Sequence, residues 1–179
     1  LTNDTIVLNQ AGRYGGGIAN YTSSPALTNV AVLSNTATNS GGGLHNTQGS
    51  NPLLVNNTLV NNKAKFGGGI CNSESSPILN NSIVWGNSHT TGGAGRQFYL
   101  YQGTTTLNYS SFPNTDYDVF NNGATFATTN HNINLNPHLV DINGNDPRIL
   151  GSSPCKNNGL NTYNTTALDL PGRTRIQET

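Results

Sequence analysis

Charged side chains are scarce in this sequence of 179 residues: they make up 9% of it, and 8 basic residues balance 8 acidic ones. A chain without net charge has no general electrostatic attraction to nucleic acid or to an anionic membrane. No apolar run approaches the length of about 18 residues that a membrane-spanning helix needs. We therefore predict neither a nucleic-acid partner nor a membrane span.

Cysteine and histidine are too few and too scattered to form a metal site. The two cysteines, Cys71 and Cys155, have no second cysteine or histidine at ligand spacing. Residues 141–146 loosely resemble a calcium loop, but Gly144 is misplaced for an EF-hand and Ser152 occupies the position of its bidentate glutamate. We interpret this segment as a turn between two strands. We predict no metal and no cofactor. We favour two unpaired thiols, and a single disulfide between Cys71 and Cys155 is the alternative.

Asparagine and glycine are abundant instead, at 30 and 21 positions. Their arrangement is periodic, because glycine triplets begin at Gly15, Gly41 and Gly67, which are 26 residues apart. Apolar residues repeat with nearly the same period. One apolar column consists of Leu1, Leu27, Leu54 and Leu79. A fixed period of this length indicates a repeat architecture.

Each repeat contains three short apolar stretches separated by asparagine, glycine, serine or proline. β-Branched residues alternate with polar ones, which favours strands of about 3–5 residues over helices. Three strands per coil predict an all-β fold, a right-handed parallel β-helix of about five coils over residues 1–112. We predict that residues 113–179 form an irregular C-terminal cap, packed on the last coil so that its strand edges are covered.

Two asparagine columns accompany the apolar columns, and we interpret both as structural. An inward asparagine at a tight bend can bond the neighbouring backbone and the asparagine of the next coil, and it tolerates left-handed backbone. The predicted ladder consists of Asn3, Asn29, Asn56, Asn81, Asn9, Asn35, Asn62 and Asn87. We assign the glycine triplets to the coil as well, because no Lys-Ser/Thr follows them as in a phosphate loop.

The asparagine-rich coils with Gly-Gly-Gly-Ile, as in residues 56–70, resemble the right-handed β-helix repeats of bacterial secreted and surface proteins, including the polymorphic outer-membrane type. Residues 133–177 are similar to a choice-of-anchor region, which often follows such coils, through segments 136–141, 151–159 and 168–177. The resemblance implies an exported bacterial protein, located outside the cell or at the cell surface, and no particular activity. We also expect a processed or excised piece with further coils upstream.

Parallel β-helices include polysaccharide lyases and hydrolases, which need paired carboxylates or a base beside a cation. Residues 1–110 contain only two acidic residues, Asp4 and Glu74, which lie nearly three coils apart in the predicted stack. None of the histidines has a serine or cysteine partner that we could argue for. We predict no catalytic residue. The alternative is part of a carbohydrate-active enzyme whose catalytic coils lie outside this chain.

Aromatic side chains on the outside of the coils are the remaining functional candidates, because sugars stack on aromatic faces. Trp85 falls in an outward column that is otherwise aliphatic, and other aromatics precede glycine triplets or alternate in a predicted strand. The predicted contact residues are Trp85, Tyr99, Tyr101, Tyr14 and Phe66. The sequence thus predicts a non-catalytic module for adhesion or extracellular architecture, with an extracellular glycan or another surface protein as partner.

Overall fold

The computed structural model describes residues 1–143 and 145–164. They form an all-β fold with 51% strand, in which parallel sheets stack as a β-solenoid of about 4 turns. The described residues contain no helix with the length and apolar character of a membrane span. Residues 144 and 165–179 lie outside the described part, and so does the predicted choice-of-anchor-like segment 168–177.

The strands follow one another around each coil. The first coil contains β1 (Thr2–Val7), β2 (Gln10–Ala11) and β3 (Ile18–Tyr21). The second contains β4 (Ala26–Leu33), β5 (Thr36–Ala37) and β6 (Leu44–Thr47). The third contains β7 (Leu53–Val55), β8 (Thr58–Val60), β9 (Lys63–Phe66) and β10 (Ile70–Ser73). The fourth contains β11 (Ile78–Asn80), β12 (Ile83–Trp85), β13 (Ser88–Ala94) and β14 (Phe98–Tyr101).

The chain then becomes less regular. Three further strands complete the stack: β15 (Thr104–Asn108), β16 (Val119–Asn122) and β17 (Thr125–Asn130). They are followed by an antiparallel hairpin of β18 (Leu139–Asp141) and β19 (Asp146–Ile149), and by a 3₁₀ turn at Asn161–Tyr163. The hairpin agrees with the interpretation of residues 141–146 as a turn between strands.

Three parallel sheets form the walls of the solenoid. The first contains β1, β4, β7, β8, β11, β12, β15 and β17, the second β2, β5, β9 and β13, and the third β3, β6, β10, β14 and β16. Equivalent residues of successive coils are paired, so Leu44 lies between Ile18 and Ile70, and Ile70 is paired with Phe98. This pairing confirms the predicted parallel solenoid. The right-handed sense and the number of five coils stay predictions.

The core runs along the axis of the stack, because inward apolar residues lie on their counterparts in the next coil. Its fully buried members include Leu27, Leu54, Leu79, Leu107, Val32, Leu59, Val84, Leu44, Ile70 and Phe98. Three phenylalanine rings fill the last turns: Phe98 lies 5.8 Å from Phe112 and 5.4 Å from Phe126 between ring centroids. Each buried leucine or phenylalanine contributes about 1.5–3 kcal/mol relative to exposure.

The second asparagine column forms a continuous buried ladder. Asn9 donates from its side-chain amide to Asn35 Oδ1 at 3.0 Å, Asn35 donates to Asn62 Oδ1 at 3.1 Å, and Asn62 donates to Asn87 Oδ1 at 3.0 Å. The same oxygens accept from the backbone N–H of the preceding asparagine. The prediction of buried, stacked asparagine is therefore confirmed.

Another asparagine ladder runs beside the third sheet, and the sequence interpretation missed it. Asn20 donates to Asn46 Oδ1 at 2.8 Å, Asn46 donates to Asn72 Oδ1 at 2.7 Å, and Asn72 donates to Thr105 Oγ1 at 2.9 Å. All four side chains are buried. A signal was present, because an asparagine follows two residues after Ile18, Leu44 and Ile70.

The first asparagine column differs from the predicted inward placement. Its four members have the left-handed backbone that was expected: Asn3, Asn29, Asn56 and Asn81. Two of the predicted bonds between coils are present, because Asn29 donates to Asn3 Oδ1 at 2.5 Å and Asn81 donates to Asn56 Oδ1 at 3.2 Å. However, Asn81 also donates to Leu160 O at 3.0 Å, and Asn56 donates to Asn164 Oδ1 at 3.4 Å, so both amides meet the C-terminal segment. The inward position belongs to the next residue, Asn57, which is buried and donates to Leu27 O at 2.9 Å.

The described part of residues 113–179 does more than close the last coil. Strands β16 and β17 extend the third and first sheets, while the hairpin folds back along the outside of the first sheet. There Leu139 and Ile142 pack against a buried cluster of Ala31, Leu33 and Val60. The predicted cap thus covers a side of the second and third coils as well as extending the end of the stack.

Candidate functional site

Two of the predicted contact residues, Phe66 and Tyr99, belong to an aromatic stack on the outside of the solenoid, completed by Phe120. The ring centroid of Tyr99 lies 5.1 Å from that of Phe66 and 4.9 Å from that of Phe120, with an interplanar angle of 12° in the second pair. Coils repeat at about 4.8 Å, and Tyr99 and Phe120 are register partners, so their rings lie one above the other. The Phe66 ring is tilted by 52° against Tyr99.

Tyr14 contacts two neighbouring side chains and remains 40% exposed. Its ring is stacked on His45, with 4.9 Å between ring centroids, and the Arg13 guanidinium lies 4.9 Å from the same ring. Arg13 further donates from Nη2 to the Tyr14 hydroxyl at 3.0 Å. Tyr101 lies apart from both groups, beside Ser73 and Asn122 in the third sheet, and is 37% exposed. The five predicted contact residues therefore do not form one platform.

The His45 imidazole lies beneath Tyr14 and is 8% exposed. Its Nδ1 is buried and has no hydrogen-bond partner in the part of the chain that the structure describes. Burial lowers the pKa of His45, because a charged imidazolium would lose its hydration there. The neighbouring Cys71 is buried too, and burial raises the pKa of its thiol to about 12, against the hydrogen bond from Ser40. This thiol is therefore not a nucleophile at neutral pH.

The buried neutral His45 predicts that the fold loses stability in mild acid. Its folded-state pKa lies below the unfolded value of 6.5, so its contribution is complete above about pH 6.5 and falls as the pH drops toward the folded-state pKa. The free energy of unfolding should fall by up to about 1.4 kcal/mol per pH unit in that window. Chemical denaturation between pH 7.5 and pH 5 measures it.

His45→Phe keeps an aromatic ring under Tyr14 and removes the titrating group, so it should flatten the pH dependence. The matched control is His131→Asn, at an exposed position with left-handed backbone that asparagine accepts. It should keep the dependence of the wild type. An unchanged pH dependence in His45→Phe would exclude His45 as its source.

Trp85 lines an open cleft of about 460 Å³, which we call the Trp85 cleft. It lies next to Val60 of the preceding coil in the outward column, but it is not part of the cluster that the hairpin covers. No ring among residues 1–143 and 145–164 contacts Trp85. The cleft is also lined by Ser88, His89, Arg96, Gln97, Pro113 and Asp118.

The floor of the cleft is held by the end of the asparagine ladder. Asn87 donates from Nδ2 to Gln97 Oε1 at 2.7 Å, and Gln97 donates from Nε2 to Asp118 Oδ1 at 3.4 Å. The second oxygen of Asp118 accepts from Thr115 Oγ1 at 2.6 Å. Gln97 and Asp118 are both buried. Each of these groups is hydrogen-bonded to the next, so together they make a rigid floor.

The rim of the cleft contains both hydrogen-bond donors and hydrogen-bond acceptors. His89 Nδ1 lies 3.0 Å from Thr90 O, and because a carbonyl only accepts, a neutral His89 carries its proton on Nδ1 and leaves Nε2 as an acceptor. The exposed Arg96 lies 5.7 Å from the Tyr117 ring centroid and, within the described residues, has no carboxylate at ion-pair distance.

Comparisons of the chain with protein-family models, with curated proteins and with solved structures found no match. The resemblance to bacterial surface proteins therefore remains a prediction from the sequence. Within the described residues there is no group of three or more histidine, cysteine or acidic side chains that could hold a metal ion.

Proposed function

We propose that this chain is a non-catalytic binding module of a secreted or cell-surface protein and that it binds a carbohydrate in the Trp85 cleft. The observation that carries the proposal is the pairing of a half-buried indole with hydrogen-bonding groups in one open cleft. A sugar ring has an apolar face that stacks on an aromatic side chain and hydroxyl groups that need donors and acceptors. Trp85 supplies the first, and Ser88, His89 and Arg96 supply the second.

The rigidity of the cleft supports this proposal. Trp85 ends strand β12 and Ser88 begins strand β13, so both stand on paired backbone of the solenoid. Between them, Asn87 is fixed by its bonds to Gln97 Oε1 and Leu59 O. A site that is already ordered loses little conformational entropy on binding. The aromatic stack is the weaker candidate, because Tyr99 and Phe120 are stacked on each other at 4.9 Å and each covers one face of the other.

We further propose that the chain is a right-handed β-helix of the bacterial secreted type, related to polymorphic outer-membrane coils. In this proposal it serves adhesion or surface architecture. The repeated asparagine and glycine columns and the low charge content support it. The enzyme alternative finds no support in the cleft, because both oxygens of Asp118 already accept hydrogen bonds. Binding is therefore the function that this geometry favours.

Trp85→Ala is expected to lower the affinity for a bound glycan by about tenfold or more, since truncating a tryptophan in a binding site removes most of its contact area. A glycan array identifies the ligand, and calorimetric titration then compares wild type with variant. Tyr101→Ala is the matched control, because it removes an exposed aromatic outside the cleft and should leave the affinity unchanged. Equal binding by wild type and Trp85→Ala would contradict the proposal, and so would an array without any ligand.

A further inference from the structure

We infer that the Trp85 cleft selects an acidic sugar, with Arg96 binding the carboxylate of a uronic acid residue whose ring stacks on Trp85. This inference rests on the proposed function and adds the class of ligand. Three observations support it. Arg96 has no carboxylate partner among the described residues, both side-chain oxygens of Asp118 accept hydrogen bonds, and Lys63 lies on the adjoining coil.

The Arg96 guanidinium makes no ion pair with a carboxylate of the described residues. It lies 5.7 Å from the Tyr117 ring centroid, and the Arg96 backbone N–H donates to Tyr117 O at 3.1 Å. The guanidinium has no hydrogen bond to another described residue, so its planar fork of N–H donors is available. That fork matches the two oxygens of a carboxylate.

Charge around the cleft favours an anionic ligand. Asp118 is the acidic residue among its lining side chains, and it is buried with one oxygen bonded to Gln97 and the other to Thr115. Each of its side-chain oxygens therefore already accepts one hydrogen bond, and its backbone O accepts from Gln97 N as well. On the adjoining coil the exposed Lys63 is the register partner of Ser88, which lines the cleft. Two exposed cations thus flank a site whose one carboxylate is engaged.

Arg13 provides a comparison within the same chain. It also lies over a tyrosine ring, at 4.9 Å from Tyr14, but it donates to the hydroxyl of that tyrosine and lies outside the cleft. The two arginines therefore differ in their hydrogen bonds: one donor of Arg13 is used within the chain, whereas the donors of Arg96 are available to a ligand. Arg13→Gln removes the same charge and the same kind of ring contact as Arg96→Gln, and it is the matched control.

The experiment uses the fluorescence of Trp85, which is the only tryptophan in the chain and therefore reports on the cleft alone. A uronic acid oligosaccharide is titrated against the protein, followed by the same oligosaccharide with its carboxyl groups reduced to alcohols. We expect the acidic form to bind about tenfold more tightly, because hydrogen bonds between charged partners are about twice as strong as neutral ones. The preference should shrink as the salt concentration rises.

Arg96→Gln should remove the preference and leave the affinity for the reduced oligosaccharide unchanged, whereas Arg13→Gln should behave as wild type. Thermal unfolding of each variant verifies that it is folded. Equal affinity of wild type for both oligosaccharides would overturn the acidic selectivity while leaving a sugar site. A preference that survives in Arg96→Gln would also overturn it. Absence of binding to any sugar, acidic or neutral, would instead remove the proposed function itself.

Discussion

Gly68→Ala is expected to destabilise the solenoid by more than about 3 kcal/mol, at or beyond the upper end of ordinary overpacking. A Cβ atom at Gly68 would lie 2.2 Å from Ser88 O and 2.7 Å from Arg96 O, which are backbone atoms of the next coil. Those atoms cannot move aside, because Gly68 N donates to Gly95 O at 3.1 Å and Gly69 N donates to Arg96 O at 2.9 Å. Chemical denaturation followed by circular dichroism measures the loss.

Gly12→Ala is the matched control for this prediction. A Cβ atom at Gly12 meets nothing within 4 Å, and its backbone is not left-handed. The change should stay within about 0.5 kcal/mol of wild type. Gly42→Ala should repeat the effect of Gly68→Ala, since its Cβ would lie 2.4 Å from Gly68 O. If Gly68→Ala unfolds at the wild-type denaturant concentration, the coils are not stacked as closely as the structure shows.

The period of the sequence predicted the walls of the solenoid because each coil contacts only its neighbours. Residues that recur at the same point of the period are therefore contact partners, and no long-range information is needed. Ile18, Leu44 and Ile70 each follow a glycine triplet, and they are register partners in the third sheet. The same argument holds for the buried ladder that includes Asn35 and Asn62.

The prediction failed where adjacent residues compete for one position. Asn56 and Asn57 are both asparagine, and a period alone does not say which of them faces inward. Asn56 has a φ of 57°, and the left-handed backbone at that bend leaves the next residue, Asn57, to bond Leu27 O inside the coil. Side-chain direction thus depends on backbone conformation, which the column pattern does not encode.

The fourth glycine turn shows how an insertion hides the period. Glycines recur at residues 92–95, but the structure pairs Ile70 with Phe98, so the equivalent of Gly67-Gly68-Gly69 is Gly95-Arg96-Gln97. Strand β13 is longer than its partner β9, and the register shifts between His89 and Ala94. Gln97 and Arg96 therefore stand where earlier coils have glycine, which is how the cleft acquires its polar groups.

The candidate site was predictable only in part. The outward position of Trp85 follows from its column with Val60, which is its register partner. The cleft itself also needs Pro113 and Asp118, which lie in a connection without periodic pattern. For the same reason the sequence does not predict that Tyr99 stacks on Phe120, which leaves less of the Tyr99 ring available to a sugar. Periodic residues predict the scaffold, and insertions decide the site.

Asn62→Ala is expected to destabilise the protein by about 2–4 kcal/mol, because buried polar groups lose their partners at a cost of about 1–3 kcal/mol each. Asn62 Oδ1 accepts from the backbone N–H of Asn35 at 2.9 Å, and its Nδ2 donates to Val32 O at 2.8 Å and to Asn87 Oδ1 at 3.0 Å. The side chain is fully buried, so water cannot replace these bonds. Equilibrium denaturation in urea gives the difference.

Two further variants separate the ladder from a general effect of removing asparagine. Asn39→Ala truncates a half-buried asparagine whose side chain bonds no other described residue, and it should stay within about 0.5 kcal/mol of wild type. Asn62→Asp keeps the shape and the acceptor but replaces the donor with a buried charge, so it should destabilise at least as much as alanine. If Asn62→Asp were as stable as wild type, the amide donor would contribute nothing, and the bonds to Val32 O and Asn87 Oδ1 would not explain the ladder.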